Sequence, residues 1–243
     1  MTLFLASVRD ADEAEMAIDA GADIIDLKDP GNGALGALSP NTIAACIRRI
    51  GARAPVSATI GDLPLQGEVV RNAVLATAAL GVDYVKLGLF PGGDAKRCLA
   101  QLEPDTAQIR LILVLFADAL PDFDAIGLAA RIGAQGVMFD TLGKRAGSLA
   151  DHMSFIDLAG YIAAAKAEGL TVGLAGSLKA RHVPSLVALA PDLLGFRGAL
   201  CQGDDRGRAL DPVRLTAIRR SIPKSPRILR EANLPDLVPQ ALC

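Results

Sequence analysis

Eight short apolar runs, separated by helical patterns, constrain the fold of this 243-residue chain more than any other feature. Each run is continuous and rich in β-branched residues or leucine, which is typical of parallel strands covered on both faces. The runs are residues 3–8, 23–27, 56–60, 84–87, 111–116, 136–139, 171–175 and 193–196. Strands alternating with helices over this length predict an α/β fold, a (β/α)8 TIM-type barrel forming a single domain over residues 1–243.

A doubly wound open sheet is the alternative fold. Such a sheet usually carries a glycine-rich phosphate loop after its first strand, whereas Ser7-Val8-Arg9-Asp10 contains no glycine. No linker, low-complexity tract or charge block divides the chain. From about residue 221 the sequence is rich in proline and arginine, and we expect this C-terminal tail to pack beneath the barrel or against a neighbouring subunit of a homo-oligomer.

Composition excludes several classes of partner. The formal net charge of −2 gives no electrostatic case for nucleic acid or an anionic membrane. Apolar stretches such as residues 111–117 are too short to span a bilayer, and residues 1–8 do not resemble a signal peptide. The four cysteines are scattered, without a Cys-x-x-Cys motif, so we expect reduced thiols in a cytoplasmic protein.

Charged residues recur at matching positions of three helix-to-strand units. Counted from the glycine that opens each unit, Asp26 and Lys86 share one offset, and Lys28 and Asp140 share another of the same parity. Alternate residues of a strand point to the same face, so these four side chains should point one way. Lys144 follows in the loop after Asp140. Because the carboxyl ends of barrel strands surround one mouth, we expect all five residues at that mouth.

Lysines gathered in a partly dry cavity disfavour one another's charged forms. A neutral lysine can attack a carbonyl and form a Schiff base, while the aspartates hold the remaining ammonium groups and transfer protons. A structural salt-bridge network inside the barrel is the alternative reading, which the convergence of charges from three strands disfavours. His152 and His182 have no clustered carboxylates or cysteines beside them, so we predict no metal site.

Glycine-containing turns after strands seven and eight predict phosphate binding. Gly176 and Ser177 follow strand seven, and Arg197 and Gly198 follow strand eight. Barrels commonly bind phosphate through backbone N–H groups of these two loops. Ser177 could add a hydroxyl and Arg197 a charge-assisted hydrogen bond.

Residues 26–37 closely resemble the signature of the (5-formylfuran-3-yl)methyl phosphate synthases, and the resemblance continues through residues 56–62, 84–88, 140–144, 173–178 and 196–199. It implies a TIM-type barrel that condenses two glyceraldehyde 3-phosphates into 4-(hydroxymethyl)-2-furancarboxaldehyde phosphate, losing phosphate and water, in methanofuran or methylofuran biosynthesis. The family's Schiff-base lysine falls on Lys28, and its other catalytic groups fall on Asp26, Lys86, Asp140 and Lys144. Such chemistry needs no metal or organic cofactor.

Two other functions remain open. A class I aldolase or transaldolase-like lyase would use the same lysine and phosphate loops, but it would release no phosphate from triose substrates. A non-catalytic sugar-phosphate-binding barrel would retain Gly176, Ser177 and Arg197 but would need no reactive lysine.

Overall fold

The computed structural model describes residues 1–143 and 146–223, and its eight strands form a closed barrel. Each strand pairs in parallel with the next along the chain, and β1 also pairs with β8. The strands are β1 (Leu3–Val8), β2 (Ile24–Leu27), β3 (Val56–Thr59), β4 (Tyr84–Gly88), β5 (Leu111–Phe116), β6 (Gly136–Asp140), β7 (Thr171–Leu174) and β8 (Leu193–Phe196). The predicted barrel is confirmed, every strand bound lies within one residue of its prediction, and the open sheet is excluded.

Ten α-helices lie between the strands or after the last of them within the described part of the chain. They are α1 (Ala11–Asp19), α2 (Pro40–Ile50), α3 (Gly67–Ala78), α4 (Ala95–Ala100), α5 (Glu103–Thr106), α6 (Ala125–Arg131), α7 (Leu149–His152), α8 (Phe155–Ala167), α9 (Val183–Ala188) and α10 (Pro212–Ser221). Side chains cap several of them: Ser39, for example, accepts a hydrogen bond from the backbone N–H of Thr42 and precedes Pro40. None of these helices has the length and apolar character needed to cross a membrane.

Strand alternation separates two cores and fixes the direction of the charged residues. The larger core lies between the sheet and the surrounding helices, and a smaller one fills the barrel interior, with Ile24 and Met138 among its members. Asp26 and Asp140 stand two residues beyond these two side chains, so they also face the interior, nearer the carboxyl ends of the strands. The barrel is thus apolar below and charged at its mouth.

Two predicted features extend beyond the described residues. Helix α10 ends at Ser221, where the predicted tail begins, and the chain after residue 223 lies outside the described part. Lys144 and its neighbour Arg145, in the loop after β6, also lie outside it.

Candidate active site

Four of the five predicted catalytic residues line one cavity at the barrel mouth. Asp26, Lys28, Lys86 and Asp140 surround a space of about 240 Å³, and none of them is more than 7% exposed. The predicted convergence of these side chains from β2, β4 and β6 is therefore confirmed. The fifth, Lys144, is the one that falls outside the described residues.

Asp26 forms the most buried polar cluster of the mouth. Its Oδ1 lies 3.0 Å from Lys86 Nζ and accepts a 2.6 Å hydrogen bond from Ser57, while its Oδ2 accepts a 2.7 Å hydrogen bond from Ser7. Burial favours the protonated acid, but the charges of Lys86 and Lys28 and the two serine hydroxyls outweigh it, so the pKa of Asp26 is lowered. Asp26 is an ionised carboxylate that fixes the Lys86 ammonium.

The two serines were not among the predicted site residues. Ser7 and Ser57 stand directly beside Asp26 in the register of β1, β2 and β3, so both hydroxyls face the same carboxylate. Each serine is a buried polar residue with apolar residues on both sides of it in its strand. That contrast is the sequence signal that could have identified them, because buried hydroxyls need a hydrogen-bond partner.

Lys28 and Asp140 form a second, looser pair. Lys28 Nζ lies 3.7 Å from Asp140 Oδ2, and the other carboxylate oxygen accepts a 2.7 Å hydrogen bond from the backbone N–H of Thr141. The backbone N–H of Lys28 donates to the carbonyl of Val8 and so continues the β1–β2 pairing one residue beyond β2. The primary amine of Lys28 thus lies at the cavity beside the Asp140 carboxylate, whose position is fixed by the adjacent backbone N–H group.

Asp62 holds the loop after β2 in place. Its carboxylate accepts 2.7 Å hydrogen bonds from the backbone N–H groups of both Ala34 and Leu35. Gly33 has a φ of +98°, and a Cβ there would lie 2.1 Å from Asp62 Oδ2. Glycine is therefore required at this position, which explains part of the 26–37 signature.

The loop after β7 has two consecutive residues with positive φ. Gly176 and Ser177 have φ values of +93° and +49°, and both line the cavity. A left-handed conformation is uncommon for serine and persists only where the surroundings impose it. A Cβ at Gly176 would lie 2.9 Å from the backbone nitrogen of Thr141, so this glycine packs directly against the end of β6.

After β8, the N–H groups of Gly198 and Ala199 have no hydrogen-bond acceptor within the described chain.

The phosphate contact of Arg197 stays a prediction: the residue lines the cavity, but its guanidinium is engaged by other groups of the described chain. Its buried guanidinium pairs with Glu13 of α1 and donates to the carbonyls of Ser7, Arg206 and Arg208, which together occupy its five N–H groups. The physical reason is its burial, because a buried cation needs a counterion and full hydrogen bonding. Glu13, which sequence reasoning did not connect with the site, supplies that charge.

Two further cations, Lys179 and Arg206, reach the same cavity from the loops after β7 and β8. Lys179 Nζ lies 3.6 Å from Asp204 Oδ2. Neither His152 nor His182 lines the cavity, and residues 1–143 and 146–223 contain no group of three or more His, Cys, Asp or Glu suited to a metal ion. The mouth is rich in cations and suited to anionic ligands.

Comparisons with known proteins place the chain among related sequences and folds. A sequence model of the 4-HFC-P synthase family matches residues 4–219. A Methylorubrum extorquens protein, whose name proposes (5-formylfuran-3-yl)methyl phosphate synthase activity, is 42% identical over 223 residues, or 92% of each chain. The (5-formylfuran-3-yl)methyl phosphate synthase of Methanocaldococcus jannaschii is 34% identical over 217 residues, covering 84% of this chain and 92% of that protein. The structure of phosphoribosyl anthranilate isomerase from Thermotoga maritima matches with a TM-score of 0.65 and 12% identity, over 91% of this chain and 98% of that protein. At this level of identity the likeness shows a shared fold alone.

Proposed function

The chain belongs to the 4-HFC-P synthase family, a family of enzymes, and we propose that it converts two glyceraldehyde 3-phosphates into 4-(hydroxymethyl)-2-furancarboxaldehyde phosphate, as a carbon–oxygen lyase of methanofuran or methylofuran biosynthesis. The observation that carries the proposal is the pair of buried Lys–Asp contacts that face one cavity, Lys86 with Asp26 and Lys28 with Asp140.

Lys28 is the proposed nucleophile. Its neutral amine would add to the carbonyl of one triose phosphate, and loss of water would give an iminium ion. The iminium acts as an electron sink and acidifies the adjacent carbon. Asp140 is the nearer carboxylate, with its Oδ2 3.7 Å from Lys28 Nζ, and it is therefore our candidate for the base that removes that proton.

Lys86 is proposed to act as a fixed cation. Asp26, with its lowered pKa, is a poor proton acceptor and holds the Lys86 ammonium at 3.0 Å. An ammonium placed in this way can stabilise a developing oxyanion or accompany the departing phosphate. The two Lys–Asp pairs thus have different proposed roles. Lys28 and Asp140, 3.7 Å apart, carry out the covalent and proton-transfer steps, whereas Lys86 and Asp26, 3.0 Å apart, provide electrostatic stabilisation.

The loops after β7 and β8 are proposed to bind phosphate through their backbone. The left-handed Ser177 and the N–H groups of Gly198 and Ala199 support this assignment. Backbone N–H groups that converge in this way form anion-binding concavities. A left-handed serine costs about 1–3 kcal/mol, which is typical of sites where conformation serves ligand binding.

Incubation with glyceraldehyde 3-phosphate tests the proposed reaction. We expect a conjugated furan aldehyde in the ultraviolet spectrum together with released inorganic phosphate, and no loss of rate in EDTA. An aldol product without phosphate release would favour a class I aldolase, and unchanged substrate would favour a binding protein. Loss of activity in EDTA that a divalent ion restores would favour a metal-dependent aldol mechanism.

Asp140→Asn separates catalysis from structure. We expect kcat to fall by about 10²- to 10⁴-fold, because the amide keeps the shape of the side chain but cannot accept a proton. The exposed Asp12→Asn is the control and should leave kcat unchanged. An Asp140→Asn variant with normal kcat and a lowered melting temperature would assign Asp140 to a structural salt-bridge network.

A further inference from the structure

Arg206 reaches across the barrel mouth from the loop after β8 to the loop after β2. The residue is half-buried and lines the cavity, and its Nη2 donates a 3.0 Å hydrogen bond to the carbonyl oxygen of Gly33. Because β1 lies between β8 and β2 in the barrel, the guanidinium spans the strand in between. It therefore stands on the side of the mouth that carries Lys28, away from the loop after β7.

The charge of Arg206 is not neutralised by a carboxylate in direct contact. The two arginines buried elsewhere are paired, Arg197 with Glu13 and Arg219 with Asp23, whereas no described carboxylate lies within 4.0 Å of the Arg206 guanidinium. The pKa of Arg206 is lowered, mainly by burial; the more distant carboxylates of Asp140, Asp62 and Asp29 favour its charged form but do not outweigh the burial. Arginine nevertheless stays protonated, so the site holds a partly desolvated cation that can accept an anion.

The backbone of Arg206 is held in place independently of any ligand. The Arg197 Nε donates a 3.0 Å hydrogen bond to the carbonyl oxygen of Arg206, and Arg197 is itself anchored by Glu13. The loop also folds closely over Gly198, where a Cβ would lie 3.2 Å from the Asp204 carbonyl oxygen. A cation on a fixed backbone loses little conformational freedom on binding, which favours affinity.

We propose that Arg206 binds the phosphate group of one of the two triose units, at a second anion subsite between the loops after β8 and β2. This inference rests on the proposed function, because joining two phosphorylated trioses requires two anion subsites. The backbone N–H groups after β7 and β8 serve one phosphate, and the Arg206 guanidinium serves the other. Arg197 is a positioning residue for this subsite and does not contact the ligand.

Calorimetric titration with glycerol 3-phosphate, which carries the phosphate but no carbonyl, tests the subsite without requiring turnover. Arg206→Gln removes the charge together with the guanidinium, and we expect affinity to fall about 10- to 100-fold. Arg206→Lys keeps the charge and should retain more affinity. Arg208→Gln makes the same change at an exposed position of the same loop and should bind like the unmodified protein.

Equal affinity of Arg206→Gln and the unmodified protein would overturn the inference. An equal loss in Arg206→Lys and Arg206→Gln would also overturn it, because the contact with Gly33 rather than the charge would then matter. Melting temperatures measured in parallel should stay unchanged in all three variants. If the unmodified protein forms no furan from glyceraldehyde 3-phosphate, the proposed function fails, yet the titration still decides whether Arg206 binds phosphate.

Discussion

Lys28→Arg is expected to abolish furan formation, lowering kcat by about 10³-fold or more, while the barrel remains folded. Arginine keeps a long basic side chain beside Asp140, but its guanidinium stays protonated and cannot add to a carbonyl. Borohydride reduction in the presence of glyceraldehyde 3-phosphate should leave a covalent adduct on Lys28 of the unmodified protein. Mass spectrometry should find no adduct on the variant.

Lys166→Arg is a suitable control, because Lys166 is exposed on α8. The control should keep both turnover and the Lys28 adduct. An adduct located on Lys86 instead would transfer the role of nucleophile to that residue. Full activity of Lys28→Arg would exclude the Schiff-base mechanism.

Among the substitutions considered for the barrel mouth, Asp26→Asn should lower the free energy of unfolding most, by about 3–5 kcal/mol. The change leaves the Lys86 ammonium buried without its carboxylate, and it replaces one acceptor of the two serine hydroxyls with an amide. Denaturant unfolding near neutral pH measures the loss. Adding Lys86→Met to this variant removes both charges and should recover much of the stability, but no activity.

The pH dependence of stability provides a second measurement on Asp26. Its pKa is lowered in the folded protein, so ionised Asp26 stabilises the fold above the unfolded-state pKa of about 3.9, and that stabilisation is lost as pH falls through the lower folded-state value. The free energy of unfolding should therefore fall more steeply in acid for the unmodified protein than for Asp26→Asn. Parallel slopes for the two proteins would show that Asp26 is not held as a carboxylate.

The barrel could be predicted from sequence because each of its local signals agrees with the closed sheet. Short apolar runs mark the strands, and capping residues such as Ser39 mark helix starts. The convergence of Asp26, Lys28, Lys86 and Asp140 could also be predicted, since strand parity fixes the face of each side chain and parallel strands share one mouth.

The roles of Ser7, Ser57, Glu13 and Arg206 could not be read in the same way. Each depends on a contact with a residue distant in sequence, such as Ser57 with Asp26 or Arg206 with Gly33. Arg197 shows the limit most clearly. Its place after strand eight beside a glycine is compatible with phosphate binding, but only the three-dimensional contacts reveal that Glu13 and three carbonyls occupy its donors.

The Glu13–Arg197 contact joins residues 184 positions apart, and this separation bears on the order in which the site forms during folding. Contacts between residues far apart in sequence form late, because closing a long loop costs conformational entropy before the contact contributes any stabilisation. The backbone of Lys28 is held by β1 and β2, whose residues are close in sequence, whereas the loop that carries Arg206 needs β8 seated against β1. A folding chain would thus form the β1–β2 pair that carries Lys28 before it can seat the loop that carries Arg206. Closure of the barrel seam between β8 and β1 is therefore the step that we expect to complete the mouth.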